Sequence, residues 1–514
     1  MYSAIRYLGV VAACATSMLA PSPSSAVFGQ PGTLDTTWAA SSPLGAGKAA
    51  NPVGIGSSII TAVALQPDGN LLAVGRCQSG PAPARTNICA ARYLPSGLLD
   101  TSWNSTGTVI TPIGGTTDSI ANAVTLQPDG KALLAGMCHN GTNLGFCAVR
   151  YNPDGTLDTT WNGTGIVSTS IGSASSIAYS VILQSDGKVL LAGSCTFSVN
   201  LTSLCVARYL PGGTLDTSWN VTGTVVTPVG GTNDIGRAMA LQPDGKILLG
   251  GTCSNGSFRE FCTVRYDTSG ALDLTWNGTG KAMLPVVVGI DNYVSSVALQ
   301  PDGKILLGGL CASNPNTNAD FCSARFKSDG TLDFTWNGTG KVVTSIGINS
   351  DAANTIALQP DGKILMGGYC AAVGGGSNFC AVRYLINGAL DTTWNGTGIV
   401  ITPMGLTIRS DLAYAMALEP DGKVLLAGGC FNGGITNFCV ARYDAGPFGF
   451  CTLDVDGDGS FLATTDALII TRIGLGVTGA AVINGITFPP TATRNTWPLI
   501  RNYLVTQCGM SLPP

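Results

Sequence analysis

Apolar and polar positions along this chain change places every few residues, in short runs and not in long stripes. Within 121–151, "ANAVTLQ" (121–127), "KALLAGMC" (131–138) and "FCAVRY" (146–151) are apolar-rich runs of strand length. They are separated by a "PDG" turn and a polar loop, and a second turn, "NPDG", leads to a fourth segment running from Thr156 through Val167. Turn residues bound each run, as they bound strands in meandering sheets. No 3.6-residue period occurs in this stretch, so the pattern predicts four consecutive strands, a to d, and no helix.

The same unit recurs along most of the chain. Trp38, Trp103, Trp161, Trp219, Trp276, Trp336 and Trp394 each close an "LDxxW" motif, spaced from 57 residues (Trp219 to Trp276) to 65 (Trp38 to Trp103). Turn signals interleave with them: "PDGN" at Pro67, "PDGK" at Pro128, Pro243, Pro301, Pro360 and Pro420, and "SDGK" at Ser185. Repetition of a four-stranded unit of about 58 residues predicts an all-β fold, a seven-bladed β-propeller of four-stranded blades, in which each small sheet buries both faces against its neighbours. The chain enters with a lone "GTLDTTW" (32–38), and its seventh unit stops after "FCVARYDAG" (438–446) with no "LDxxW" behind it. Residues around 32–50 are therefore expected to form the outermost strand of the last blade, so that the N-terminal strand closes it and no seam is left open.

The recurring "LQPDGKILLGG…C…FCxVRYxxxGxLDxxWNGTG" resembles the delta-60 repeat of bacterial exported proteins, over roughly residues 32–446. The resemblance implies a propeller and assigns no enzymatic activity.

Repeated polar residues read first as architecture. The Arg of "VRY/ARY" (Arg92, Arg150, Arg208, Arg265, Arg325, Arg383, Arg442) and the Asp of "LDxxW" face each other across the c–d hairpin, which suits an ion pair better than a row of anion sites. The tryptophans are expected between blades, and "WNGTG" marks backbone geometry, because Asn-Gly supplies positive φ. Positions that vary are more informative about binding. The b–c and d–a loops share one face, where "HNGTNLGF" from His139, "TFSVNLTSL" from Thr196, "SNGSFREF" from Ser254, "ASNPNTNADF" from Ala312 and "FNGGITNF" from Phe431 offer hydrogen-bonding side chains to a glycan or a surface protein. Asp118, Asp234, Asp291, Asp351 and Asp411 in the d–a loops are candidates to ring the mouth of the channel and touch a ligand.

Composition narrows the function. Mean hydropathy is +0.30 with 11% charged residues, yet no unbroken apolar run reaches the roughly 20 residues of a membrane span. A net charge of −4 without a basic cluster excludes nucleic acid as a partner. The single histidine, His139, sits in a loop without a serine or cysteine motif, so a histidine-dependent triad is not expected. Paired carboxylates on the loop face remain the route to a carbohydrate-active enzyme, against the preferred reading of a non-catalytic binding protein or a structural cell-surface scaffold.

Residues 1–26 read as a signal peptide, with Arg6, an apolar stretch from Leu8 to Leu19, and Ser24 and Ala26 before the cut. The rival reading takes "VAAC", ending at Cys14, as a lipobox, with only about seven apolar residues before it. Export agrees with the cysteines. Besides Cys14, the chain has the close pairs Cys77 and Cys89, Cys138 and Cys147, Cys195 and Cys205, Cys253 and Cys262, Cys311 and Cys322, Cys370 and Cys380, and Cys430 and Cys439, with Cys451 and Cys508 beyond the repeats. Gaps this long suit disulfides better than a metal site, whose sulfur ligands stand two to four residues apart.

The propeller is expected over 27–445 and a separate, mostly α module over 446–514. There "DVDGDG" sets oxygen donors at alternating positions, Asp454, Asp456 and Asp458, with Gly459 for a sharp turn and the Ser460 carbonyl as a fourth donor. The stretch resembles the dockerin-type, EF-hand-like calcium loop followed by a helix, with Asp466 as the closing ligand, and implies one Ca2+. Asp466 stands at the thirteenth loop position and not the twelfth, and the second half near 491–504 has no acidic loop of its own, which leaves a cohesin-like partner in doubt.

Overall fold

The computed structural model describes residues 30–80, 84–114, 118–139, 143–198, 201–314, 318–405, 410–432, 434–444, 455–456, 462, 464–475, 477, 479–490 and 492–506. The expected signal peptide and both Cys451 and Cys508 lie outside the described residues. The chain divides into two compact units, one comprising 32–419 and 424–443, the other including 444–514.

In the larger unit the strands fall into quartets. The first holds β2 (Ser58–Leu65), β3 (Leu71–Ser79), β4 (Arg85–Tyr93) and β5 (Thr108–Thr111), paired antiparallel in chain order. The pattern repeats as β6–β9 (120–169), β10–β13 (175–227), β14–β17 (235–284), β18–β21 (292–344) and β22–β25 (352–402). A single bridge, Ser175 to Leu144, joins β10 to β8. The last set, β26 (Leu412–Leu418), β27 (Val424–Asn432) and β28 (Ile435–Tyr443), receives its fourth strand from the start of the chain: β1 (Lys48–Asn51) pairs antiparallel with β28. Upstream of β1, Leu34 bridges Tyr443.

The fourth segment of each unit differs from expectation. "LDxxW" is not itself the outer strand. Its leucine makes one bridge to the aromatic residue ending strand c, as Leu157 does with Tyr151, and the chain then turns tightly at the tryptophan. Asn162 sits there at φ 50° and donates its side-chain amide to the Ile166 carbonyl at 3.0 Å, and only then does the short strand Ile166–Thr169 begin. "WNGTG" therefore shapes the backbone, as its composition predicts.

Each quartet is apolar on both faces and packs against the next. One cluster joins Ile60, Ala73 and Cys77 of the first quartet to Leu425, Phe438 and Val440 of the last. Two repeated contacts hold neighbours together. Tyrosines at the ends of strands c reach the previous quartet's outer strand, as Tyr209 does to Thr169 at 2.8 Å and Tyr266 to Thr227 at 2.7 Å. Burial drives the phenol of Tyr151 up to about 12, partly offset by its bond to Thr111. The tryptophans lie between quartets: a Cβ on Gly155 of the next c–d turn would stand 2.6 Å from Trp103, and one on Gly270 2.6 Å from Trp219. Seven disulfides span the b–c hairpins with Cα separations of 5.4 to 6.0 Å.

Every innermost strand a carries a β-bulge. The register with strand b slips between Ile60 and Ala62, Ala121 and Ala123, Ala178 and Ser180, Gly236 and Ala238, Val294 and Ser296, Ala353 and Thr355, and Ala413 and Ala415. The slip drives a strand-a carbonyl into the space of a side chain on strand b, and a glycine stands there each time: a Cβ on Gly75, Gly136, Gly193, Gly251, Gly309, Gly368 or Gly428 would lie 1.8 to 2.2 Å from that oxygen. Gly309→Ala is expected to destabilise the protein by at least about 2 kcal/mol in denaturant unfolding. Gly212→Ala, where nothing lies within 4 Å, should be neutral or slightly stabilising; equal losses at the two sites would contradict the bulge account.

In the smaller unit, α1 (Asp466–Gly474) and α2 (Trp497–Thr506) enclose a core of Val455, Ile469, Val482, Trp497, Ile500 and Leu504.

Candidate functional site

The residues displaced by the seven bulges are Thr61, Asn122, Tyr179, Arg237, Ser295, Asn354 and Tyr414. All seven line one cavity of about 490 Å3, together with Ile59, Arg76, Ile120, Tyr293, Val294 and Leu310. Bulges re-aim side chains, and here each delivers one from its quartet to a shared space. The volume is typical of small-molecule sites, which run from roughly 300 to 1,000 Å3. Because Ile59 pairs with Arg76 and Tyr293 with Leu310, toward the end of strand b that leads into the b–c loop, the cavity lies toward the loop face. A second space of about 290 Å3 shares Thr61, Asn122 and Tyr414 with the first and is otherwise lined by residues farther along the same strands, among them Val63, Val124 and Met416.

Some bulge side chains also tie quartets together. Thr61 donates to the Ala121 carbonyl at 2.6 Å, Asn122 to Ala178 at 2.9 Å and Asn354 to Ala413 at 2.7 Å. The others present different chemistry. The Arg237 guanidinium stacks on the Tyr179 ring at 4.3 Å. Tyr293 donates to Asp291 at 3.0 Å and is faced by Arg259 at 5.4 Å. The phenol of Tyr414 is raised by burial and by nearby Tyr369, and Arg76 acts in the opposite direction.

The d–a carboxylates stand elsewhere, and none of the five lines either cavity. Asp234, Asp351 and Asp411 are buried and fold their own loops. Asp351 accepts the amides of Ile346 at 2.7 Å, Gly347 at 2.8 Å and Ala371 at 3.2 Å; Asp411 does the same for Met404, Gly405 and Phe431, and Asp234 for Val229, Gly230 and Ser254. Ser176 and Asn292 take that position in two other units. Asp118 and Asp291 stand one residue earlier and accept the amides of Thr86 and Arg259. These aspartates differ from a ligand-facing ring because the turn from strand d to strand a leaves backbone amides that need acceptors.

The repeated Arg–Asp pairs are architectural. Arg92–Asp100, Arg150–Asp158, Arg208–Asp216, Arg265–Asp273, Arg325–Asp333, Arg383–Asp391 and Arg442–Asp35 stand 2.6 to 2.9 Å apart. Each guanidinium lies over its own unit's tryptophan at 4.8 to 5.7 Å. Among the described residues, six reach a carbonyl of another quartet's c–d turn, including Arg442 to Pro95, which links the last quartet to the first. The lysines of "DGK" approach the same aspartates, Lys131 coming within 3.0 Å of Asp158.

With this geometry in place, six segments match the family model described as a domain of unknown function (DUF5122) beta-propeller: 127–160, 184–218, 242–275, 300–335, 359–393 and 419–446. These are β-propeller repeats. Each match begins next to the turn between strands a and b and runs through the propeller unit to its "LDxxW" segment or, in the last, to the end of strand c. No curated protein matches the chain. Among solved structures, the polysaccharide lyase Uly1 is similar at 12% identity over 84% of this chain and 95% of its own, with a TM-score of 0.45. A catalytically inactive virginiamycin B lyase from Staphylococcus aureus, with quinupristin, is similar at 10% identity over 77% and 98%, with a TM-score of 0.44.

In the smaller unit, Asp456 and Asp466 are fully buried, while Asp454, Asp458 and Ser460 lie outside the described residues. One Asp466 oxygen accepts the amides of Val455 and Asp456, and the other accepts Leu462 at 2.9 Å and the Thr465 hydroxyl at 3.1 Å. Both Asp466 oxygens thus accept hydrogen bonds within the loop, and among the described residues no three histidine, cysteine or acidic side chains stand together as metal ligands would. Arg494 closes over the loop from the other side, donating to the Val455 carbonyl at 2.9 Å.

Sequence reasoning did not single out the bulge ring. Its signal is the residue five places before the Gln or Glu that precedes each "PDG" or "SDG" turn: polar in every unit, and Thr, Asn, Tyr, Arg, Ser, Asn and Tyr in turn.

The repeated carboxylates set a pH dependence. Burial alone would raise the Asp333 and Asp273 carboxyls, but hydrogen bonds and their arginines hold both below the usual value, Asp273 at about 2. A carboxyl lowered in the folded state stabilises above the unfolded value of about 3.9 and loses that contribution as pH falls through the folded one. Stability should therefore hold from pH 7 to about 5 and fall steeply below pH 4. At pH 7, Asp333→Ala, which strands Arg325 at 3% exposure, should cost about 3–5 kcal/mol in denaturant unfolding.

Proposed function

We propose that this protein is an exported, non-catalytic binding protein whose seven quartets form a seven-bladed ring closed by the N-terminal strand, with a glycan held at the mouth of the central cavity. One observation carries the reading. Seven equivalent bulges converge on one space with unlike side chains, whereas the interface residues repeat nearly unchanged. Fold alone does not require that variation, and a ligand without sevenfold symmetry does. Tyr179, Tyr293 and Tyr414 supply flat surfaces, and the amides and hydroxyls supply hydrogen bonds, the mixture that small-molecule sites use.

Seven disulfides belong to an oxidising compartment, and no described helix is long and apolar enough to cross a membrane. Cleavage after Ala26, pairing of Cys451 with Cys508, and one Ca2+ held by Asp454, Asp456, Asp458, Ser460 and Asp466 complete the proposal. The ion would neutralise the acidic loop and fix its fold.

Thermal unfolding of the mature protein against a panel of polysaccharides tests the reading. A bound glycan should raise the melting temperature, by about 2.7 kcal/mol of stabilisation at a hundredfold excess over Kd, and Tyr414→Ala should abolish the shift. Release of shortened or unsaturated products from the bound glycan would replace the reading by that of a carbohydrate-active enzyme, and a shift untouched by Tyr414→Ala would move the site away from the cavity. Calcium should raise a transition of the full chain, and Asp458→Asn should remove that response.

A further inference from the structure

Two arginines of the larger unit differ from those of the repeated motif. Those of the repeated motif each have a carboxylate. Arg76 and Arg237, half-buried in the cavity, have none within ion-pair distance among the described residues, and the described lining contains no carboxylate at all. A guanidinium withdrawn from water without a counter-charge is costly, so structures seldom keep one without a use.

Neither arginine is needed by the repeat. The position of Arg76, directly before the first cysteine, is Met137, Ser194, Thr252, Leu310, Tyr369 and Gly429 in the other units. Arg237 stands at a bulge that elsewhere carries Thr, Asn, Tyr or Ser. Arg237 stacks on the Tyr179 ring at 4.3 Å, while Arg76 shares the cavity lining with Tyr414. Stacking on a ring occupies the guanidinium face and leaves its N–H edge open to an acceptor. The chain as a whole is acidic, at −4, so this cationic lining is local.

We infer that the cavity takes an anionic saccharide, whose carboxylate or sulfate group is held by Arg76 and Arg237 while its sugar rings lie against Tyr179, Tyr293 and Tyr414. This rests on the glycan-binding reading above and names its ligand class. Arginine suits planar, two-point recognition of such oxyanions, and enclosure in the cavity strengthens each contact relative to water.

Isothermal titration of the full mature protein with oligogalacturonate, a sulfated galactan oligosaccharide and a neutral cello-oligosaccharide of equal length tests the inference. One of the acidic ligands is expected to bind at least tenfold more tightly than the neutral one, and which of them does so identifies the anion. Arg237→Gln and Arg76→Gln should each weaken that binding at least tenfold at an unchanged melting temperature. Should either variant melt early, Arg237→Lys or Arg76→Lys, which keeps the charge and loses the planar fork, should bind between wild type and the glutamine variant. A neutral oligosaccharide that binds as tightly, or acidic binding indifferent to both arginines, would overturn the inference and leave the glycan reading standing. Failure of all three ligands, together with no response to any polysaccharide in the thermal panel, would overturn the glycan reading itself.

Discussion

One extra residue in each innermost strand governs the larger unit. The bulge pushes a strand-a carbonyl to where the neighbouring strand would carry a side chain, and the strand can close only because glycine stands there. The same displacement turns one side chain per quartet toward the cavity. Strand pairing at the inner edge and the placement of the cavity's side chains thus have a common origin.

Away from the bulges, the protein repeats its solutions. Arginine, aspartate and tryptophan form one interlocked unit in each quartet, in which the aspartate neutralises the arginine, the ring lies beneath the guanidinium, and among the described residues N–H bonds cross from six of them to another quartet. Tyrosine and threonine make another bridge, and the disulfides brace hairpins whose loops differ. Held this way, the inner ring is free to vary in side chain while its backbone does not, as expected of a binding site built on a rigid scaffold.

Much of this is legible in the chain. Short apolar runs between "PDG" turns announce the strands, the orphan "GTLDTTW" announces the pairing of the first strand with the last, and the Arg and Asp of the repeated motifs announce their ion pair. The cavity is harder to read. A bulge changes no composition, so Tyr179 or Arg237 looks like one more residue of an alternating strand until its register is known. The loop aspartates mislead for the opposite reason: Asp351 and Asp411 look like exposed acids in polar loops, but the turn consumes their oxygens in amide bonds. Periodicity reports which face a side chain takes and does not report an inserted residue.

The most direct test of the account is a crystal structure of the mature protein with an acidic oligosaccharide bound. The account predicts density among the seven bulge residues, with the anionic group against Arg76 and Arg237. A saccharide seated on the outer b–c loops, with the cavity left to water, would contradict it.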